Sequence, residues 1–139
     1  MPTIQKSIRI QEKTLKEIEQ ISRDSGKEFS AVANELLEEA VRLKRCPGII
    51  FTEGTTGRRA RIAGTGIEVW EIIATYKGVS ENFTRLRKAY HWLTEQQLRA
   101  GIGYYIAYKE EIDGLIKQNE ELNREQVHKK HPFLVRGSR

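Results

Sequence analysis

A chain of 139 residues suits one domain or two small ones, and each small one would be short of core. With 31% charged and 8% aromatic residues it has the composition of an ordinary soluble protein, and no run of about 18 apolar residues exists to span a membrane. The net charge of +5 is spread thinly, +1 over residues 1–45, +1 over 46–114 and +3 over 115–139, which is compatible with a nucleic-acid partner without requiring one.

Cys46 is the only cysteine, which rules out an internal disulfide framework and a multi-cysteine zinc site and fits a reducing cytoplasm. The first residues lack the apolar stretch of a signal peptide, so export is not expected.

The first predicted element is a strand, "QKSIRIQ", residues 5–11. Read with a period of two, Ile8 and Ile10 share one face, and Gln5, Ser7 and Arg9 the other. Lys6 is the misfit, a cation on the apolar side that must snorkel outward. A helix follows, with Leu15, Ile18 and Ile21 at three-residue steps and Gly26 as its stop. A second helix is expected to start at an Ser30 N-cap with Phe29 as a staple. Its wide apolar face holds Val32, Ala33, Leu36, Leu37, Ala40, Val41 and Leu43.

A strand and two helices in about 45 residues cannot bury so broad a face alone. Two copies can, by joining their strands as an antiparallel ribbon and sharing one core among four helices. The stretch from Thr3 to Arg45 resembles the ribbon-helix-helix DNA-binding domain of the Arc and MetJ repressors and many antitoxins. The resemblance implies base contacts from Gln5, Ser7 and Arg9, and phosphate contacts at the start of the second helix, at Ser30 and Ala31. A two-stranded ribbon fits the major groove, where Arg pairs with guanine and Gln with adenine, and a helix N-terminus favours an anion. The bland alternative is an amphipathic strand in some other α+β dimer, its polar face merely solvated.

"RCPG", residues 45–48, ends the second helix. A hairpin is then expected, with strands at Ile49–Thr52 and Arg59–Ile62 around "EGTTG". From Ile67 the period becomes helical, with Val69, Ile72, Ile73 and Tyr76 inward and Gly78 as the end. Ser80 is the expected cap of "ENFTRLRKAY", and Thr94 opens a capping box, "TEQQ". The helix from Thr94 is expected to run well beyond Tyr108, with Leu98, Ile102, Tyr105 and Ile112 facing in and Gly101 and Gly103 marking close packing.

Residues 48–114 resemble a small domain found in VapB-type antitoxins, in which "GTRI" stands where this chain has Gly64 to Ile67. The usual Arg is replaced by Gly66, which removes any role tied to it. The resemblance implies a small winged, or hairpin-bearing, helix-turn-helix. If this unit binds DNA, Gln96, Gln97 and Arg99 would read bases, while Arg58, Arg59 and Arg61, with Arg85, Arg87 and Lys88, would hold phosphates. The alternative is a solvated charged face on a dimerisation or partner-holding module.

After Gly114 the last helix is expected to continue to about Glu125 and give way to a basic, aromatic-tipped end. In VapB-type antitoxins such an end wraps an RNase toxin, which by resemblance makes Phe133, Leu134 and Arg136 the toxin contacts. A plain solvated terminus, or an appended protease-site remnant in "LVRGS", fits the same residues. His128 and His131 lack a third ligand nearby, so no metal is expected. "GTTG" and "GTG" lack the Lys-Ser/Thr of a P-loop, and no catalytic arrangement or cofactor motif stands out.

The sequence therefore points to a mainly α protein, with a ribbon-helix-helix homodimer head (1–45), a hairpin-bearing helix-turn-helix domain (46–114), and a helix end with a basic tail (115–139). The expected function is sequence-specific repression of transcription from a double-stranded DNA operator, in the cytoplasm and nucleoid-associated when bound. The favoured setting is an antitoxin of a toxin–antitoxin system that represses its own operon. The alternatives are a free-standing regulator without a toxin, or a dimerisation module that does not touch DNA. No enzyme activity, cofactor or membrane association is expected.

Overall fold

The computed structural model describes residues 2–54 and 57–130. The backbone divides after Lys44 into two compact units. Among the described residues the chain is mainly helical, with a single small sheet. No described helix is long and apolar enough to cross a membrane.

Unit 1 holds two helices, α1 (Glu12–Ser25) and α2 (Phe29–Arg45), the second running one residue past the division. Residues 2–11 form no strand within the single chain, although Gln11 is extended (φ −62°, ψ 141°). A strand ladder needs a neighbour to bond to, and none of the described residues pairs with this segment. Gly26 ends α1 in the left-handed region (φ 70°), donating its N–H to the Ser22 carbonyl at 3.0 Å, as its position in the sequence predicts. The start of α2 differs from expectation. The helix opens at Phe29, and the first ladder bond runs from the Val32 N–H to the Glu28 carbonyl at 3.1 Å. Ser30 is thus inside the first turn rather than its cap.

Unit 2 begins with the antiparallel hairpin of β1 (Ile49–Gly54) and β2 (Gly57–Ile62), paired from Ile49↔Ile62 to Gly54↔Gly57. Both strands are longer than the alternation indicates, because the ladder extends to the glycines flanking Thr55 and Thr56. Four helices follow: α3 (Val69–Gly78), α4 (Phe83–Ala89), α5 (Glu95–Ala107) and α6 (Lys109–Lys130). Ile49, Ala60 and Ile62 from the hairpin pack with Val69, Ile72 and Ile73 of α3, Leu86 of α4, Leu98 and Tyr104 of α5, and Ile112 of α6.

Caps explain most of the helix starts in unit 2. Glu68 and Glu71 form a reciprocal capping box at α3. Thr94 and Gln97 form the expected box at α5, each N–H donating to the other's side chain at 2.9 and 3.0 Å. For α4 the cap is Asn82, whose Oδ1 accepts from the Arg85 N–H at 3.0 Å, not Ser80. Ser80 and Glu81 instead turn the chain with φ of 56° and 57°, a conformation that side chains resist.

The helix expected to run past Tyr108 is two helices. Tyr108 leaves helical geometry (φ −131°, ψ 51°), and the fully buried Tyr104 donates its hydroxyl to Glu111 Oε2 across the break at 2.6 Å. Gly101 is packed as predicted, since a Cβ there would stand 3.2 Å from Ile62 Cδ1 and 3.6 Å from Ile72 Cδ1. Gly103 is not; it faces open space. Helix α6 runs through the boundary expected after Gly114 and five residues beyond Glu125.

Candidate nucleic-acid interface

Two sets of residues carry the expected contacts, one in each unit. In unit 1, Gln5, Ser7 and Arg9 are all exposed, and so are Ile4, Lys6, Ile8 and Ile10. The segment has no inner and outer face until something covers one of them. At the start of α2, Ser30 and Ala31 are exposed, and the N–H groups of residues 29–31 precede the hydrogen-bond ladder. The first turn of α2 contains no acid, although Glu28 immediately precedes it. The positive end of the helix dipole is therefore partly open to an anion. Asn34 donates to the Ser30 carbonyl at 2.9 Å, holding the turn from the other side.

In unit 2 the expected readers are mostly committed elsewhere. Gln97 gives its side-chain carbonyl to the capping box, so only Gln96 is left exposed as an amide on that turn. Arg99 donates twice to Glu95 Oε1, at 3.0 and 2.8 Å, and lies 4.6 Å above the Phe83 ring. Those bonds, with Arg87 Nη1 3.8 Å away, hold the Glu95 carboxyl below the usual carboxylate range, the Arg99 hydrogen bonds foremost.

The hairpin arginines split between the two faces of the ribbon, as strand geometry requires. Arg58 shares the side of Ala60 and Ile62, at the tip, where it meets the Phe51 carbonyl at 3.3 Å and Glu53 at 3.6 Å. Arg59 and Arg61 are half-buried on the opposite side. Arg59 lies 3.9 Å from Glu68, and Arg61 donates to the Gly66 carbonyl at 3.2 Å. With Trp70 and with Leu115 and Leu122 of α6 they line a groove rather than a flat cationic face. These three arginines are therefore not one phosphate-binding row.

A cluster of exposed cations in unit 2 lies on α4. Arg85, Arg87 and Lys88 are all exposed, and α4 has no acidic residue. Sequence reasoning gave this helix only a supporting part, yet its run of basic residues without an acid is the signal that marks it. Lys77, Tyr105 and Asp113 tie α3, α5 and α6 together instead. Lys77 Nζ and the Tyr105 hydroxyl both donate to Asp113 Oδ1 at 2.8 Å. The Asp113 carboxylate, then the Tyr105 hydroxyl, raises the Lys77 pKa, and the Lys77 ammonium, then the same hydroxyl, lowers that of Asp113.

Phe133, Leu134 and Arg136, expected as toxin contacts, lie outside the described residues, as does His131. No protein-family model, no curated protein and no solved structure matches this chain.

Proposed function

We propose that the chain is a homodimeric, sequence-specific DNA-binding repressor, whose N-terminal segment pairs with its own copy and reads bases through Gln5, Ser7 and Arg9. The observation that carries this reading is the uncovered apolar face of unit 1. Ile4 is 91% exposed, Ile8 65%, Leu37 56% and Val41 52%, while Val32 alone of the unit's described residues is buried. Each such aliphatic side chain gains about 1.5–3 kcal/mol on burial. Burying five or six of them in a shared core offsets an association cost of about 4–15 kcal/mol. Pairing residues 5–11 with their copy would give Ile8 and Ile10 an inside and turn Gln5, Ser7 and Arg9 outward. Those three supply an amide, a hydroxyl and a guanidinium, the groups that bond to base edges in the major groove. The open first turn of α2 at Ser30 and Ala31 supplies the phosphate contact that fixes register.

The setting of an antitoxin that represses its own operon and holds an RNase toxin rests on the resemblance of residues 48–114 to VapB-type antitoxins. It is the more specific half of the proposal. The test is binding to the DNA upstream of the chain's own gene, titrated against salt beside an unrelated duplex. Selective binding is expected, and Arg9→Ala should cost about 1–3 kcal/mol on the operator and relax base choice there. Equal, steeply salt-dependent binding to both duplexes would reduce the protein to a generic polyanion binder.

A further inference from the structure

Among its described residues unit 2 leaves one large aromatic ring open to water. Trp92, in the turn between α4 and α5, is 60% exposed, although burying an indole is among the larger gains available to a fold. The ring is nonetheless held. The Tyr90 ring stands 5.4 Å away, tilted by 59°, and the His91 ring meets it edge-on at 5.1 Å and 87°. Two neighbours thus orient the indole and leave much of its surface uncovered.

The surroundings are cationic. Arg85, Arg87 and Lys88 occupy three of the five residues that precede Tyr90, on a helix without an acid. Arg87, Lys88 and His91 rim a surface notch of about 410 Å³ whose apolar side is formed by Phe83 and Leu93. His91 therefore borders this notch and also touches the indole. Glu95 draws off part of the charge of Arg87 at 3.8 Å, but Lys88 stands exposed on the same rim, with Arg85 exposed on another face of the helix.

A duplex presents phosphates and keeps its base faces stacked, so it would use the cations and leave the indole idle. A single strand offers phosphates and unstacked bases together, and an aromatic platform beside a basic track is the arrangement that binds both. We propose that the α4–α5 turn binds single-stranded nucleic acid, with a base stacked on Trp92 and the flanking phosphates held by Arg87 and Lys88. The site lies wholly within unit 2 and does not depend on the duplex reading of unit 1.

Trp70 and Trp92 are the only tryptophans, so in the full-length Trp70→Phe chain every emitted indole photon comes from Trp92. That chain is titrated at low salt with twelve-nucleotide oligothymidylate, oligouridylate, a duplex of equal length, and inorganic polyphosphate. Either single strand should quench the emission, while duplex and polyphosphate leave it nearly unchanged. The stronger of the two strands identifies DNA or RNA as the source. In the otherwise native chain, Trp92→Ala should weaken single-strand binding roughly tenfold, and Trp92→Phe should restore most of it. Absent binding, binding without quenching, a duplex that quenches Trp92 as strongly as the strand does, or an unchanged single-strand affinity for Trp92→Ala would each overturn the proposal.

Discussion

Unit 2 and unit 1 treat the same kind of side chain in opposite ways. In unit 2 a hairpin and four helices bring Ile62, Ile72, Ile73, Leu86, Leu98 and Ile112 to zero exposure within one chain. In unit 1 two helices leave Ile21, Leu36, Leu37, Val41 and Leu43 in water. The difference does not lie in composition, since both stretches are rich in Ile, Leu and Val. It lies in how many elements are available to cover each face. A hairpin plus four helices is enough to close a core, and two helices are not. An apolar stripe on a helix therefore states how much surface needs a partner, without saying whether that partner lies in the same chain.

Paired truncations would break this comparison most directly. Ile72→Ala should destabilise unit 2 by about 2–5 kcal/mol, with a melting shift independent of protein concentration. Leu37→Ala touches a side chain already largely in water, so in an isolated chain it should cost almost nothing. If two copies share that face, it should instead lower stability in a concentration-dependent way and shift sedimentation toward the monomer. Calorimetry and sedimentation at two concentrations read both outcomes.

A smaller effect sharpens the account of unit 2. Thr94→Ala removes one arm of the capping box at α5 and should cost about 0.5–2 kcal/mol, measured by chemical denaturation. A cost near zero would mean that packing of Leu98 and Tyr104, not the cap, decides where α5 begins.

The smallest effect concerns Asp113. Its carboxyl is held down chiefly by the Lys77 ammonium, so its contribution is present above the ordinary aspartate pKa of about 3.9 and is lost as pH falls through the lowered value. The raised Lys77 works at the other end, contributing below the ordinary lysine pKa of about 10.4 and fading as pH rises past it. Both groups are more than a third exposed, so solvent screening keeps the pair below about 1 kcal/mol. Asp113→Asn should be slightly less stable than the native chain at pH 7, and the gap should narrow as pH falls below the ordinary aspartate range.

What was legible in the sequence was what neighbouring residues decide between themselves. Gly26 stops α1, "TEQQ" caps α5, and the glycines around Thr55 and Thr56 bound the hairpin. What was not legible depends on residues distant in sequence or on competition among local donors. Nothing between Tyr104 and Tyr108 marks a helix end, and the break accompanies a bond from the buried Tyr104 to Glu111. Tyr104 itself was missed because Tyr105 fits the helical stripe equally well; the two rings differ only in what they meet. Ser80 and Asn82 are both good caps, and the chain uses Asn82 after two left-handed residues. Gln97 and Arg99 resemble readers when taken singly. Their partners Thr94 and Glu95 are in view three and four positions away, and local bonding takes precedence.

Helix α6 has 22 residues, a rod of about 33 Å at 1.5 Å per residue. Its core contacts end near Ile116, and from Lys117 to Lys129 every side chain but Asn119 is exposed. Leu122 still lines the groove beside the hairpin, and the eight residues after it carry the helix about 12 Å further. Past that groove each turn is held by little more than its own backbone ladder, so amide hydrogen exchange should quicken from Leu122 toward Lys129.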